Sequence, residues 1–100
     1  MNELTDITGQ VAVVTGGAAG MGEAAAVRFG AGGAKVAVIG RTPEKGNAVV
    51  KRITDAGGEA MFVKAECADE GEVKVATKTI LDTWGRADIL VNTAGGFIDA

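Results

Sequence analysis

Short, uninterrupted apolar runs alternate along the chain with longer stretches in which apolar residues return every third or fourth position. Val11-Ala12-Val13-Val14-Thr15 is apolar almost throughout and too short for a helix, the pattern of a strand buried on both faces. Lys35 to Ile39 repeats it, Ala60 to Val63 does so more weakly, as suits a position nearer a sheet edge, and Ile89-Leu90-Val91 gives a fourth. Between them lie three amphipathic segments. The first places Met21, Ala25 and Phe29 on one helical face, with Gly30, Gly32 and Gly33 as its stop. In the second, Thr42 offers an N-cap oxygen, Pro43 fits the first helical position and Glu44 complements the dipole; Val49, Val50 and Ile53 form the inner face and Gly57-Gly58 the end. The third starts at Asp69-Glu70-Gly71-Glu72, which has the spacing of a capping box, carries Val73, Ala76, Ile80 and Trp84 inward, and closes at Gly85.

Strands that recur roughly every 25 residues with a helix between each pair predict βαβ units, a parallel sheet and right-handed crossovers. The expected fold is therefore α/β, a doubly wound Rossmann-like sheet of four strands in the order 3-2-1-4. In such a sheet ligands bind in the crevice at the carboxyl ends of strands one and four. The four segments share a topology and no sequence motif, and no linker interrupts them.

Composition narrows the partners. The chain has 100 residues, 47% hydrophobic and 23% charged, so it is at most one globular domain and not a disordered one. Its net charge is −3 and its basic residues are scattered, so nothing attracts nucleic acid or an anionic membrane, and a small-molecule partner is the expectation. With one cysteine, Cys67, and no histidine there is no internal disulfide and no expected metal site. The polar start Met1-Asn2-Glu3-Leu4-Thr5-Asp6 lacks a signal-peptide pattern, and the expected location is cytoplasmic.

The chemistry concentrates at turns. Thr15-Gly16-Gly17-Ala18-Ala19-Gly20-Met21-Gly22 joins the first strand to the first helix, where free backbone N–H groups and a helix dipole suit a phosphate. Gly16 permits a sharp turn, Gly20 allows close backbone approach to a pyrophosphate, and Gly22 lets the helix sit tightly on the strand. Taken alone, the cluster also fits a purely structural connection. Thr15 is either a strand-end hydroxyl that holds the turn or a simple β-former. A triphosphatase loop would need Lys and Ser or Thr directly after its last glycine, where this chain has Met21. A methyltransferase-like site wants an acid at the end of strand two, where Gly40-Arg41 stands.

Thr15-Gly16-x-x-x-Gly20-x-Gly22 and Gly85-Arg86-Ala87-Asp88-Ile89-Leu90-Val91-Asn92-Thr93-Ala94-Gly95 resemble the cofactor motif and the fourth strand with its Asn-Asn-Ala-Gly turn of the short-chain dehydrogenase/reductase family. The resemblance runs over essentially the whole chain and implies the N-terminal, cofactor-binding part of a single Rossmann domain, incomplete relative to the family fold. It implies an oxidoreductase that moves a hydride between a nicotinamide cofactor and a carbonyl or alcohol substrate, a homo-oligomer at full length. The implied cofactor-binding residues are Thr15, Gly16, Gly20, Met21, Gly22, Arg41, Glu66, Cys67, Asn92, Ala94 and Gly95. A carboxylate after strand two would repel a 2′-phosphate, whereas the Arg41 guanidinium can pair with it, so NADP(H) is expected over NAD(H); the plain alternative is a solvent-facing charge. Position 19, where NADP-preferring relatives often carry a second basic residue, is Ala. Glu66-Cys67 stands where the family has Asp and a small apolar residue against the adenine, and Thr93 replaces the usual second Asn. Without histidine or a flanking base to activate it, Cys67 reads as a small buried hydrophobe.

The family's catalytic Ser and Tyr-x-x-x-Lys have no counterpart, since the chain contains no Tyr. No catalytic residue is assigned, and these 100 residues alone are expected to be inactive. Two other readings stay open: a stand-alone nucleotide-binding module without chemistry, and an unrelated α/β domain with a structural glycine turn.

Overall fold

A computed structural model describes residues 7–16, 20–66 and 68–92. Four strands and three helices alternate as β1 (Val11–Thr15), α1 (Gly20–Ala31), β2 (Lys35–Gly40), α2 (Pro43–Asp55), β3 (Glu59–Lys64), α3 (Glu70–Trp84) and β4 (Ile89–Asn92). The strands are parallel and lie in the order β3-β2-β1-β4, the order expected of a doubly wound, Rossmann-like sheet. Register runs from Val11 opposite Lys35 to Thr15 opposite Ile39, while Ala12 to Thr15 face Ile89 to Asn92 across the other edge of β1.

The strand period of two sorts the core into two layers. Val11, Val13, Ala37 and Ile39 pack with Ala65 against Ala76 and Ile80 of α3. Val14, Val36 and Val38 point the other way, onto Ala26 of α1 and Val49 and Ile53 of α2. Both central strands are therefore apolar on both faces, which is why they lack alternation. β3 is half-exposed along its length, and β4 alternates between half-buried and exposed.

The helix-facing details depart from the sequence reading in four places. The buried stripe of α1 is Gly22, Ala26 and Gly30, one position round from Met21, Ala25 and Phe29; Phe29 is half-buried and still packs against the core as expected, whereas Met21 is 80% exposed. Gly30 is not a stop residue but lies inside α1, where a Cβ would sit 2.7 Å from Ile53 Cγ2; the stop falls at Gly33, with φ +99°. Thr42 is the N-cap of α2, yet its hydroxyl makes no capping hydrogen bond. The capping box of α3 is half formed. Asp69 Oδ1 accepts from the Glu72 N–H at 3.1 Å, but Glu72 Oε1 accepts from the Glu66 N–H at 2.7 Å, tying the helix to the end of β3. Gly85, with φ +78°, ends α3 in the left-handed region as expected.

Gly46 has a role that its sequence context hides. It lies buried in α2, and a Cβ there would run into the ring of Phe62 on β3. The absence of a side chain lets α2 lie down on the sheet edge.

Candidate functional site

Parallel strands place all their carboxyl ends on one side of the sheet, and the sequence-implied residues that the structure describes gather along that edge or at the start of α1. Thr15 ends β1, and its hydroxyl lies 2.9 Å from Asn92 Oδ1 and 3.3 Å from the Val91 carbonyl. The hydroxyl thus bonds across to β4, joining the two strands at the crevice. Gly16 follows with φ +73°, and its N–H donates to the Ile39 carbonyl at 2.8 Å. That bond continues the β1–β2 ladder one residue into the turn and explains why the chain can swing away from the sheet only after it.

Gly20 opens α1 with φ +59°, a conformation that side chains disfavour, and no described atom lies within 4 Å of where its Cβ would project. The position is strained for any other residue and open above, as a close approach by a ligand backbone or phosphate requires. Gly22 is buried against the sheet. The first N–H groups of α1 have no acceptor within the helix and carry the positive end of its dipole. Met21 between the two glycines faces solvent. These features fit a dinucleotide pyrophosphate.

A second group forms at the ends of β2 and β3. The two strands pair up to Gly40 opposite Lys64, and the Ala65 N–H donates to the Gly40 carbonyl at 2.8 Å. Arg41 and Glu66 emerge just beyond this bond and form an ion pair at 3.3 Å. Glu66 Oε2 also accepts from the Ala68 N–H at 3.1 Å, so the carboxylate is anchored from behind while its other oxygen meets the guanidinium. Cys67, Ala94 and Gly95, the remaining members of the implied set, lie outside the described residues, as does Thr93.

At the opposite, amino-terminal edge stands Asp88, a residue of the second motif to which the sequence alone assigned no role. Asp88 Oδ2 accepts from the Val11 N–H at 2.8 Å, while the Asp88 N–H donates to the Val11 carbonyl at 2.9 Å. Arg86 grips the same carboxylate through Nε at 2.8 Å and a terminal nitrogen at 2.9 Å. The Arg86 hydrogen bonds and the Val11 N–H hold the Asp88 carboxyl below its ordinary range. The signal was present as Arg86-x-Asp88 directly before an apolar run. Asp88 pins the start of β4 to the start of β1, and Thr15 pins the ends.

Among the described residues no group of His, Cys, Asp or Glu could hold a metal ion, and no helix is long and apolar enough to cross a membrane. A family model described as short chain dehydrogenase matches residues 10–100. The chain belongs to the short-chain dehydrogenase family.

Family relatives share its sequence closely over this part. It is 44% identical over 91 residues to an uncharacterised oxidoreductase of Bacillus subtilis, covering 91% of this chain and 33% of that protein. It is also 44% identical over 93 residues to a 3-oxoacyl-[acyl-carrier-protein] reductase of Synechocystis, covering 92% and 38%. Among solved structures it resembles a dehydrogenase/reductase from Sinorhizobium meliloti (TM-score 0.88, 38% identity, 91% of this chain and 36% of that one). It also resembles a metagenomic short-chain oxidoreductase in complex with NADP (TM-score 0.86, 40% identity, 90% and 41%). The chain spans about a third of the length of the curated relatives it matches.

Proposed function

We propose that these residues are the NADP(H)-binding, N-terminal part of one Rossmann domain in an oxidoreductase that moves a hydride between a nicotinamide cofactor and a carbonyl or alcohol substrate. Arg41 carries the choice of cofactor. It leaves the end of β2, where a dinucleotide's adenosine ribose lies in this fold, and it places a guanidinium where a 2′-phosphate can accept two parallel hydrogen bonds. In this reading Gly16, Gly20 and Gly22 would shape the pyrophosphate turn with Met21 at its rim, Thr15 would hold that turn, Glu66 and Cys67 would border the adenine, and Asn92, Ala94 and Gly95 would border the nicotinamide ribose. The NADP-bound short-chain oxidoreductase that this chain resembles supports the cofactor class.

When bound, the cofactor supplies the hydride acceptor or donor. The residues of this chain bind and orient it. Proton transfer to the substrate oxygen needs a group of suitable pKa beside the nicotinamide, which the family supplies with Tyr and Lys. With no Tyr, these 100 residues are proposed to bind cofactor and to turn over no substrate by themselves.

Calorimetric titration of NADPH and NADH tests the reading. Trp84 is a poor reporter, since its indole is bonded to Glu59 at the amino end of β3, far along the strand from the site. NADPH is expected to bind more tightly than NADH, and Arg41→Ala to cost about tenfold or more in NADPH affinity with little effect on NADH, the size of a lost charge-assisted contact. Folded protein that binds neither dinucleotide overturns the site; equal affinities overturn the NADP(H) preference.

A further inference from the structure

The Arg41–Glu66 pair is an odd arrangement for a residue meant to recognise phosphate, because the guanidinium is already engaged by a carboxylate of this chain. The contact is not a loose surface encounter at the Glu66 end. Glu66 Oε2 accepts from the Ala68 N–H and the Glu66 N–H donates to Glu72, so both the side chain and the backbone of residue 66 are held in place. The Ala65–Gly40 backbone bond fixes the spacing of the two strand ends from which the partners project. Arg41, by contrast, has no second anchor among the described residues and its side chain is 74% exposed, so it is the partner able to move.

We infer that Glu66 is a positioning residue that sets cofactor specificity by competing with the 2′-phosphate for Arg41. The inference rests on the NADP(H) reading above and adds to it. Without a 2′-phosphate the guanidinium is held toward β3 by Glu66. A cofactor with a 2′-phosphate must draw it away and break the ion pair, whereas one with a free 2′-hydroxyl leaves the pair intact. Glu66 therefore lowers the advantage of the phosphorylated cofactor without touching the unphosphorylated one through Arg41, and makes the protein less exclusive than Arg41 alone would.

The experiment is a double-mutant cycle of Glu66→Gln and Arg41→Ala, read by calorimetry with NADP+ and NAD+. Gln has the length of Glu and a carbonyl oxygen that can still accept from the Ala68 N–H, so the loop is preserved. Circular dichroism of each variant checks folding. In the Arg41 background, Glu66→Gln is expected to raise the ratio of NADP+ to NAD+ affinity about two- to fivefold, the range of an exposed ion pair released, any effect on the shared adenine cancelling in that ratio. In the Arg41→Ala background the same substitution is expected to change the ratio by less than about 1.5-fold.

A parallel change for both cofactors shows Glu66 acting on the shared adenine and overturns the inference. A gain for NADP+ that persists without Arg41 shows direct repulsion of the phosphate and overturns it too, as does no change in either background. Wild-type protein that binds NAD+ and NADP+ equally, with Glu66→Gln restoring a preference for NADP+, supports it even though the bare Arg41 preference fails. Binding of neither cofactor by folded wild type removes the NADP(H) reading and this inference together.

Discussion

Single residues carry most of the decisive physics of this molecule, and Asp88 is the clearest. Its folded pKa lies below the ordinary carboxylate value of about 3.9, so the ionised form is the one the fold favours. Its contribution to stability is therefore fully present above that ordinary value and is lost as pH falls through the lowered one. Asp88→Asn keeps an acceptor for the Val11 N–H but gives up the charge that Arg86 grips. The variant should melt lower than wild type at neutral pH, and the gap between them should close on acidification below about pH 4; a gap that stays constant with pH refutes the role. Thr15 offers a neutral counterpart at the other end of the same strand pair. Thr15→Val keeps the shape and removes the hydroxyl that reaches Asn92, and is expected to cost about 1 kcal/mol, or about 4–8 °C in melting temperature for a domain this small. Gly46→Ala sets two effects against each other. Alanine favours the helix by up to about 1 kcal/mol, but its Cβ meets the Phe62 ring, and such overpacking costs about 1–3 kcal/mol. The steric cost should win, giving a lower melting temperature; an unchanged or raised one would show that the ring swings aside freely.

Elements were legible in the sequence to the degree that their side chains differ in polarity. β1 and β2 were clear because an unbroken run of four apolar residues, closed by polar residues or glycine, has few other uses, and the structure reproduces their bounds to a residue. The inner face of α2 was equally clear, since Val49 and Ile53 stand out among charges, and both are buried. The face of α1 was not. Ala24, Ala25 and Ala26 are equivalent in polarity, so the large residues Met21 and Phe29 dominated the periodicity; Phe29 does pack at the margin of the core, but Met21 does not, and the buried positions are the smallest residues, Gly22, Ala26 and Gly30. Close packing selected for absence of volume, which a hydrophobic pattern does not register. For the same reason Gly46 carried no signal. The turn motifs were readable as to place, and the Thr15–Asn92 and Arg41–Glu66 contacts were not, because they join residues that only the sheet order brings together. The rotated α1 face has a direct check. Met21→Lys should change stability by less than about 0.5 kcal/mol, whereas Ala26→Leu should cost about 1–3 kcal/mol. The reverse ranking in denaturant melts would restore Met21 to the core.

Across the whole molecule, burial falls from the centre of the sheet outward in both directions. β1 is buried at every position and β2 at all but its first, whereas β3 is half-exposed and β4 leaves Leu90 71% exposed on the face shared with Val13. The protein is nonetheless as compact as a 100-residue domain should be, with a radius of gyration of 12.5 Å against about 13 Å expected. Compactness here comes from two well-covered central strands, and the flanks contribute less. Local opening should follow that gradient, because amides exchange through the least costly opening available to them. Hydrogen exchange on the 100-residue chain should therefore protect Val13, Val14, Ala37 and Val38 most strongly, and the β4 amides Leu90 and Val91 least among the strands. The two ends of the site then differ in character. The Arg41–Glu66 end rests on the well-protected β2 and should be largely preformed, whereas the Thr15–Asn92 end depends on β4 staying docked through Asp88 and Thr15. NADP+ should consequently slow exchange in β4 more than in β2. Equal protection of the four strands without ligand, or slowing confined to β2 with it, would mean that the crevice between β1 and β4 takes no part in holding the cofactor.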